Sequence, residues 1–106
     1  MEKVIFIQQN VTYYLENLIL LLFDQGYFSF EASAQKYVSN LYDFIENDLT
    51  SFPLKITPHK LSHCGTFYAY YHANPQTTWY VFFEKNENRY LITYITNNHT
   101  QEAQFL

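Results

Sequence analysis

The chain has 106 residues, of which 48% are hydrophobic and 15% charged, and its formal net charge is −4. This composition predicts one folded domain over residues 1–106, and it excludes a disordered chain and strong non-specific binding to nucleic acids. The single cysteine, Cys64, excludes an internal disulfide framework. With no export signal and no apolar run of membrane length, the sequence predicts a cytoplasmic protein with no membrane partner.

The chain begins with the pattern of a strand followed by a helix. Residues 4–7 form a short apolar run typical of a strand, and Asn10 is suited to cap a helix that begins at Val11 and stops near Gly26. The apolar positions of this helix cover a broad face, and they are Val11, Tyr14, Leu15, Leu18, Ile19, Leu20, Leu21, Leu22 and Phe23. A face this broad predicts packing on more than one side.

A second helix follows after a short link. Ser29 is suited to open it, Glu31 stands favourably near its N-terminus, and Pro53 ends it. Its apolar stripe consists of Ala34, Tyr37, Val38, Leu41, Phe44, Ile45 and Leu49. The short link favours an antiparallel helix hairpin.

The second half of the chain predicts a small sheet. A loop over residues 53–65 leads into three strands at about 66–72, 78–84 and 89–96, and short polar turns join these strands into an antiparallel meander. The predicted fold class is therefore α+β. We expect two layers, with an N-terminal strand, an antiparallel helix hairpin and a three-stranded antiparallel meander.

Large apolar or tyrosine side chains occur on both faces of this predicted sheet. Alternation separates Tyr68, Tyr70 and His72 from Phe67, Ala69 and Tyr71 in the first strand, Tyr80 and Phe82 from Trp79, Val81 and Phe83 in the second, and Tyr90, Ile92 and Tyr94 from Leu91, Thr93 and Ile95 in the third. The helices can cover one face. The other face either forms an exposed tyrosine-rich partner site or lies under the 53–65 loop and the C-terminal Phe105 and Leu106.

Charge is divided unevenly along the chain. Residues 1–50 carry seven acidic and two basic side chains, and residues 51–106 carry three acidic and four basic ones. All four histidines lie in the second part. The pattern is that of an acidic helical face beside a nearly neutral sheet, and any anionic partner is expected on the C-terminal half.

Residues 77–99, TTWYVFFEKNENRYLITYITNNH, carry a family resemblance. Together with the preceding order of strand, helix, helix and strand, they resemble the last two strands of RelE/ParE superfamily toxins, most of all Bacteroides-like members. The match extends through the polar tail to residue 105. It rests on hydrophobic patterns more than on catalytic signatures.

The resemblance implies a small toxin of a type II toxin–antitoxin system, held inactive by a cognate antitoxin that contacts the helix hairpin and the sheet. RelE-type members cut mRNA on the ribosome. ParE-type members instead inhibit DNA gyrase without ribonuclease chemistry. The ribosome with its mRNA, or gyrase, is therefore the implied target.

A RelE-like ribonuclease needs a base, cations and an acid around one phosphate. The resemblance implies His99 as an acid or base just beyond the last strand, with Arg89 and Lys60 as cations. Each also has a plain alternative as a solvated surface side chain. The middle strand departs from the family pattern, because Trp79-Tyr80-Val81-Phe82-Phe83 contains no basic residue.

Two further groups are candidate contacts to RNA or to the antitoxin. A phosphate-binding edge in the predicted loop would use Lys55, His59, Lys60 and His63, and base stacking or antitoxin packing would use Tyr68, Tyr70, Tyr80 and Tyr94. Pro58 and Gly65 indicate a loop and not a zinc-binding helix around His59 and His63. With two glycines in the chain, no phosphate-binding glycine loop is present, and we predict neither a metal nor a cofactor.

Three hypotheses follow. The first is a RelE-like endoribonuclease, which His99 favours. The second is a toxin-fold module that blocks its target by binding, which the missing base of the middle strand favours. The third is a structural domain that forms a homodimer through its aromatic face.

Overall fold

The computed structural model of the protein describes residues 3–24, 26, 31–51 and 54–106. Its helices and strands, in chain order, are β1 (Val4–Ile7), α1 (Gln9–Asp24), α2 (Glu31–Asp43), β2 (Lys55–Ile56), β3 (Phe67–Asn74), β4 (Thr77–Asn86) and β5 (Arg89–Asn97). A π-helical turn and a 3-10 turn extend α2 to Ser51. The predicted roles of Ser29 and Pro53 lie outside the described residues.

All five strands join one mixed sheet in the order β1-β5-β4-β3-β2. The predicted meander is present as β3, β4 and β5, and the predicted N-terminal strand pairs in parallel with β5, from Val4 opposite Arg89 to Ile7 opposite Ile92. The segment predicted as a loop over 53–65 is partly ordered, since β2 pairs antiparallel with the start of β3. Two helices and this sheet make an α+β fold.

The helices α1 and α2 pack together on one face of the sheet. Among the buried residues of this core are Val11, Leu15, Leu18, Val38, Leu41, Phe44, Ile45, Leu49, Trp79, Val81, Phe83 and Ile92. The apolar stripe predicted for the second helix is confirmed at every position but Tyr37, which is half-buried. Because the stripe repeats about every 3.6 residues, its members lie on the side of α2 that faces the sheet. The polar residues on the other side remain in solvent.

Two predictions for α1 were wrong. The backbone N–H groups of Val11 and Thr12 donate to the carbonyl of Gln8, so Asn10 is not the cap; its side-chain nitrogen donates instead to the Thr93 carbonyl at 3.2 Å. The buried face of α1 is also narrower than predicted. The helix contacts both α2 and β5, but Leu20 and Leu21 are 55% and 49% exposed.

A bulge in β5 breaks the predicted alternation of its side chains. Phe82 pairs with Tyr94 while the next residue, Phe83, pairs with Ile92, so Thr93 is an extra residue between them. Beyond the bulge, Ile95 faces the helices and Tyr94 faces the opposite side with Phe82. The strict alternation predicted for this strand therefore holds only up to Ile92.

The sheet face opposite the helices is partly covered by the chain itself. A 3-10 turn at His59–Leu61 and another at Gln101–Phe105 lie on it. Its second, smaller core contains Leu61, Cys64 and Phe82, with Tyr68, Tyr80, Tyr94 and Leu106 packed against it. Of the two alternatives for this face, the structure therefore favours coverage, although Tyr70 stays 40% exposed. None of the described helices is long and apolar enough to cross a membrane.

Candidate binding cleft

A cleft of about 420 Å³ opens between the helix hairpin and the end of the sheet at which β5 finishes. One wall is apolar and comes from α1, and the other is polar and comes from the ends of the strands. The lining residues are Tyr14, Leu18, Leu21, Leu22, Tyr37, Asn74, Thr77, Trp79, Asn97 and His99. A concave, mostly apolar surface with a few convergent polar groups is typical of a binding site.

Aromatic side chains fix the floor of the cleft. The Trp79 indole N–H donates to the Tyr37 hydroxyl at 2.9 Å, and the Tyr14 ring meets the Trp79 ring edge-on with centroids 6.2 Å apart. Burial raises the pKa of both phenols and a neighbouring tyrosine raises each further, while the hydrogen bond from Trp79 acts in the opposite direction on Tyr37. Both hydroxyls are protonated at neutral pH, as ordinary phenols are.

His99 lies on the polar rim of this cleft. Its backbone N–H donates to the Asn97 side-chain oxygen at 2.9 Å, and its Nε2 lies 3.3 Å from the Thr77 hydroxyl. The turn after β5 thus places the imidazole over the start of β4. The residue is exposed, and in this position it can exchange hydrogen bonds with a bound molecule.

The structure does not bring the other two predicted catalytic residues to His99. Arg89 is the first residue of β5 and His99 follows its last, so the strand separates them by roughly 26 Å. Lys60 lies on the opposite side of the sheet, where its Nζ stands 5.0 Å from the centre of the Phe105 ring. Three groups so far apart cannot surround one phosphate.

The predicted contact residues divide between the surface and the second core. His59 and His63 are exposed, and Tyr68, Tyr80 and Tyr94 are half-buried around Phe82. Tyr70 is the most accessible of the tyrosines of this face that were predicted to make contacts, with the Lys55 ammonium 5.6 Å from its ring centre. Stacking of several bases on these rings would require displacement of the two turns that cover them.

A second cleft, of about 290 Å³, lies at the outer edge of β5 beside α1. Its polar groups come from Asn10, Tyr94, Thr96, Thr100 and Glu102. The hydroxyls of Thr96 and Thr100 are 2.8 Å apart, and the Tyr94 hydroxyl donates to Glu102 at 3.3 Å. The pKa of Glu102 is lowered, mainly by the backbone N–H of its own residue and the Thr100 hydroxyl, which stabilise the carboxylate.

Sequence reasoning missed Glu102 and the cleft around it. Glu102 lies in a polar tail that carries no motif, and of its neighbours in the cleft Tyr94 is eight residues away whereas Asn10 is far from it in the chain. The bulge at Thr93 turns Tyr94 towards Glu102, and no sequence pattern indicates where a bulge will fall.

The side chains that could bind a metal or act as a thiol nucleophile are dispersed or buried among the described residues. In the part of the chain that the structure describes, no three side chains among His, Cys, Asp and Glu are grouped as metal ligands. Cys64 is buried, and burial raises the pKa of its thiol, with a smaller contribution from Glu102. A thiol kept protonated in this way is a poor nucleophile.

Comparison with known protein families, curated proteins and solved structures gives no significant match to this chain. The class that the structure itself defines is an α+β domain with a helix hairpin on one face of a five-stranded mixed sheet. Its candidate site is the cleft between that hairpin and the end of β5.

Proposed function

We propose that this chain is the toxin component of a type II toxin–antitoxin module of the RelE/ParE kind, and that it inhibits growth by binding its target and not by cutting RNA. A cognate antitoxin would neutralise it. Support for the class comes from the element order of strand, helix pair and three long strands, which carries the resemblance in the sequence. The aromatic pattern of residues 77–99 adds to it.

One observation favours binding over cleavage. Attack of a ribose hydroxyl on the adjacent phosphate needs a base, a cation and an acid within contact distance of the same phosphate. His99 and Arg89 stand at opposite ends of β5, and Lys60 lies across the sheet from the cleft that His99 lines. A target held by contact alone, such as gyrase in the ParE-type members, requires no such cluster.

The cleft beside His99 is the surface we assign to this binding. Its apolar wall includes Leu21, which is 49% exposed and so accessible to a partner side chain. The polar rim at Thr77 and His99 offers hydrogen bonds that orient a partner. Accessible apolar area surrounded by polar groups is the usual composition of a protein interface.

Growth of a bacterial host after induction of the chain tests the proposal. We expect growth arrest that co-expression of the small open reading frame beside its gene relieves. Leu21→Glu should weaken the arrest, because a charge on the apolar wall opposes docking. The number of surviving colonies should rise by about tenfold or more. His99→Ala should weaken the arrest less than Leu21→Glu does, because it removes one hydrogen-bonding group of the rim and leaves the apolar wall in place.

Leu20→Glu is the matched control, since Leu20 is the adjacent residue of α1, is 55% exposed and does not line this cleft. Cleaved transcripts that disappear with His99→Ala would show a RelE-like endoribonuclease and overturn blockade by binding. Unimpaired growth on induction would overturn the toxin assignment in favour of an interaction domain or a homodimeric structural domain, which light scattering would then distinguish.

A further inference from the structure

The outer edge of β5 is open over its last residues. β1 pairs with β5 only as far as Ile92, and the chain then turns away into α1. From Tyr94 to Asn97, β5 has β4 on one side and, among the described residues, no strand on the other. A strand edge of this kind can accept an additional strand.

The backbone groups along this edge indicate which kind of partner could pair with it. The carbonyl of Thr93 accepts from the Asn10 side chain at 3.2 Å, and the carbonyl of Asn97 accepts from the Thr100 hydroxyl at 2.9 Å. Since alternate residues of a strand point the same way, the N–H and C=O of Ile95, midway between them, face the same edge. The Asn98 N–H donates to the Thr78 carbonyl of β4, so by the same alternation Thr96 faces β4 and Ile95 faces away from it. β1, the strand on that side, ends opposite Ile92.

These outward-facing groups of Ile95 are not on an open surface. Ile95 is 5% exposed, and it lines the 290 Å³ cleft. Buried backbone groups are nearly always hydrogen-bonded, either to protein or to water. The Ile95 N–H and C=O are directed into the cleft as those of a strand residue are directed at a neighbouring strand. They can therefore pair with the backbone of an extended peptide.

The two ends of this edge differ in chemistry. At the Tyr94 end stands the Glu102 carboxylate, which accepts a hydrogen bond from the Tyr94 hydroxyl at 3.3 Å. At the Asn97 end the edge meets the larger cleft with its apolar wall of Leu18 and Leu21. Tyr14 lines both clefts, so the two adjoin at this side chain of α1, and the pair of clefts is the groove.

We propose that this groove binds an extended segment of another protein, which pairs with β5 at Ile95 and carries a lysine or arginine for Glu102 and an apolar residue for the larger cleft. The negative end excludes an acidic segment, and the acidic N-terminal half makes a basic partner favourable. The proposal names the kind of partner for the function proposed above and rests on the view that the protein acts by binding.

The spacing of the two anchor residues follows from the geometry. The Glu102 side chain lies with Tyr94 on the sheet face opposite the helices, whereas the larger cleft lies on the helical face. Side chains on opposite faces of an added strand are an odd number of residues apart. Three residues, from Tyr94 to Asn97, span roughly 10 Å, so the basic and apolar anchors should stand three apart.

Binding of a fluorescein-labelled peptide, acetyl-Thr-Lys-Val-Thr-Leu-Thr-amide, to the purified full-length protein tests this. We expect saturable binding by fluorescence anisotropy, together with slower hydrogen exchange of the Ile95 and Asn97 amides by NMR. Glutamate in place of the peptide's lysine should weaken binding by about tenfold or more. Methylation of the backbone nitrogens of its central Val and Thr should weaken it similarly, since it removes the donors.

Charge reversal supplies the control. Glu102→Lys should lose the lysine peptide and gain the glutamate peptide, whereas Glu46→Lys, an equal change of charge at an exposed residue after α2, should alter neither. No saturable binding up to about 1 mM, a millimolar or weaker affinity, would overturn the proposal. Equal binding of the two peptides would also overturn it. So would slower hydrogen exchange of the Ile95 amide when only the protein concentration is raised, because the edge would then pair with a second copy of the chain.

The result is separable from the growth test. A protein that binds the lysine peptide but does not arrest growth supports the groove and overturns the toxin assignment. A protein that arrests growth through Leu21 but ignores both peptides supports the toxin and overturns the groove.

Discussion

Gly65 shows how a single position joins the covering turn to the sheet. A Cβ atom there would lie 2.6 Å from the Thr93 hydroxyl oxygen, 3.0 Å from the Phe83 backbone nitrogen and 3.1 Å from the Phe82 Cβ. The Thr93 hydroxyl also donates to the Cys64 carbonyl. The bulged residue of β5 is thus held directly against the segment that covers Phe82.

We expect Gly65→Ala to lower the free energy of unfolding by about 1–3 kcal/mol, because no space exists for the added methyl group. Urea unfolding followed by the fluorescence of Trp79 measures this. In a Thr93→Ala background the same change should cost less, since the nearest atom is gone. An equal cost in both backgrounds would show that the strain does not arise at Thr93.

At the scale of elements, the C-terminal 3-10 turn at Gln101–Phe105 determines how much of the sheet face opposite the helices is covered. Leu106 packs against the second core, Phe105 meets Lys60, and Glu102 accepts from Tyr94. The same turn places the Glu102 carboxylate in the smaller cleft. One short segment therefore both covers this sheet face and supplies the carboxylate of the proposed peptide groove.

The lowered pKa of Glu102 gives this segment a dependence on acid. A carboxylate whose folded pKa lies below its ordinary value of 4.5 contributes stability above that value and loses it as the pH falls through the folded pKa. From pH 6 to pH 3, wild type should lose more unfolding free energy than Glu102→Gln, which has no such group to titrate. Urea unfolding of both proteins at several pH values measures the difference; parallel curves would contradict it.

At the scale of the whole molecule, charge limits the partners. The formal net charge is −4, and the six basic residues are divided between the helical part and several separate places on the sheet. No described face concentrates them beside the cleft that His99 lines. Affinity for RNA through phosphate contacts depends on such concentration.

We therefore expect weak binding to a single-stranded 20-nucleotide RNA at physiological salt, with a Kd above about 100 μM, the weak end of non-specific binding. Fluorescence anisotropy at two salt concentrations measures this. Arg89→Ala should change the result little. Tight binding whose affinity falls steeply with salt would instead support an RNA-directed activity.

Local patterns in the sequence were sufficient for α1, α2, β1, β3, β4 and β5, but not for β2, which lies in the segment predicted as a loop. Period-3.6 apolar stripes identified both helices, and the alternation in Phe67–Asn74 and Thr77–Asn86 identified both faces of β3 and β4. These features depend on residues close together in the chain, and the periodicity of a helix or a strand is enough to predict which of them are buried. The α+β class, the core stripe of α2 and the crowding of tyrosines on the second face follow from them.

Tertiary structure alone decided which functional residues meet. The parallel pairing of β1 with half of β5, the bulge at Thr93 and the fold of the tail over Phe82 depend on residues distant in the sequence. They bring Glu102 to the open edge at Ile95, whereas the separation of His99 from Arg89 follows from their places at the two ends of the predicted last strand. A site is a set of distances between side chains from different elements, and hydrophobic periodicity carries no information about those distances.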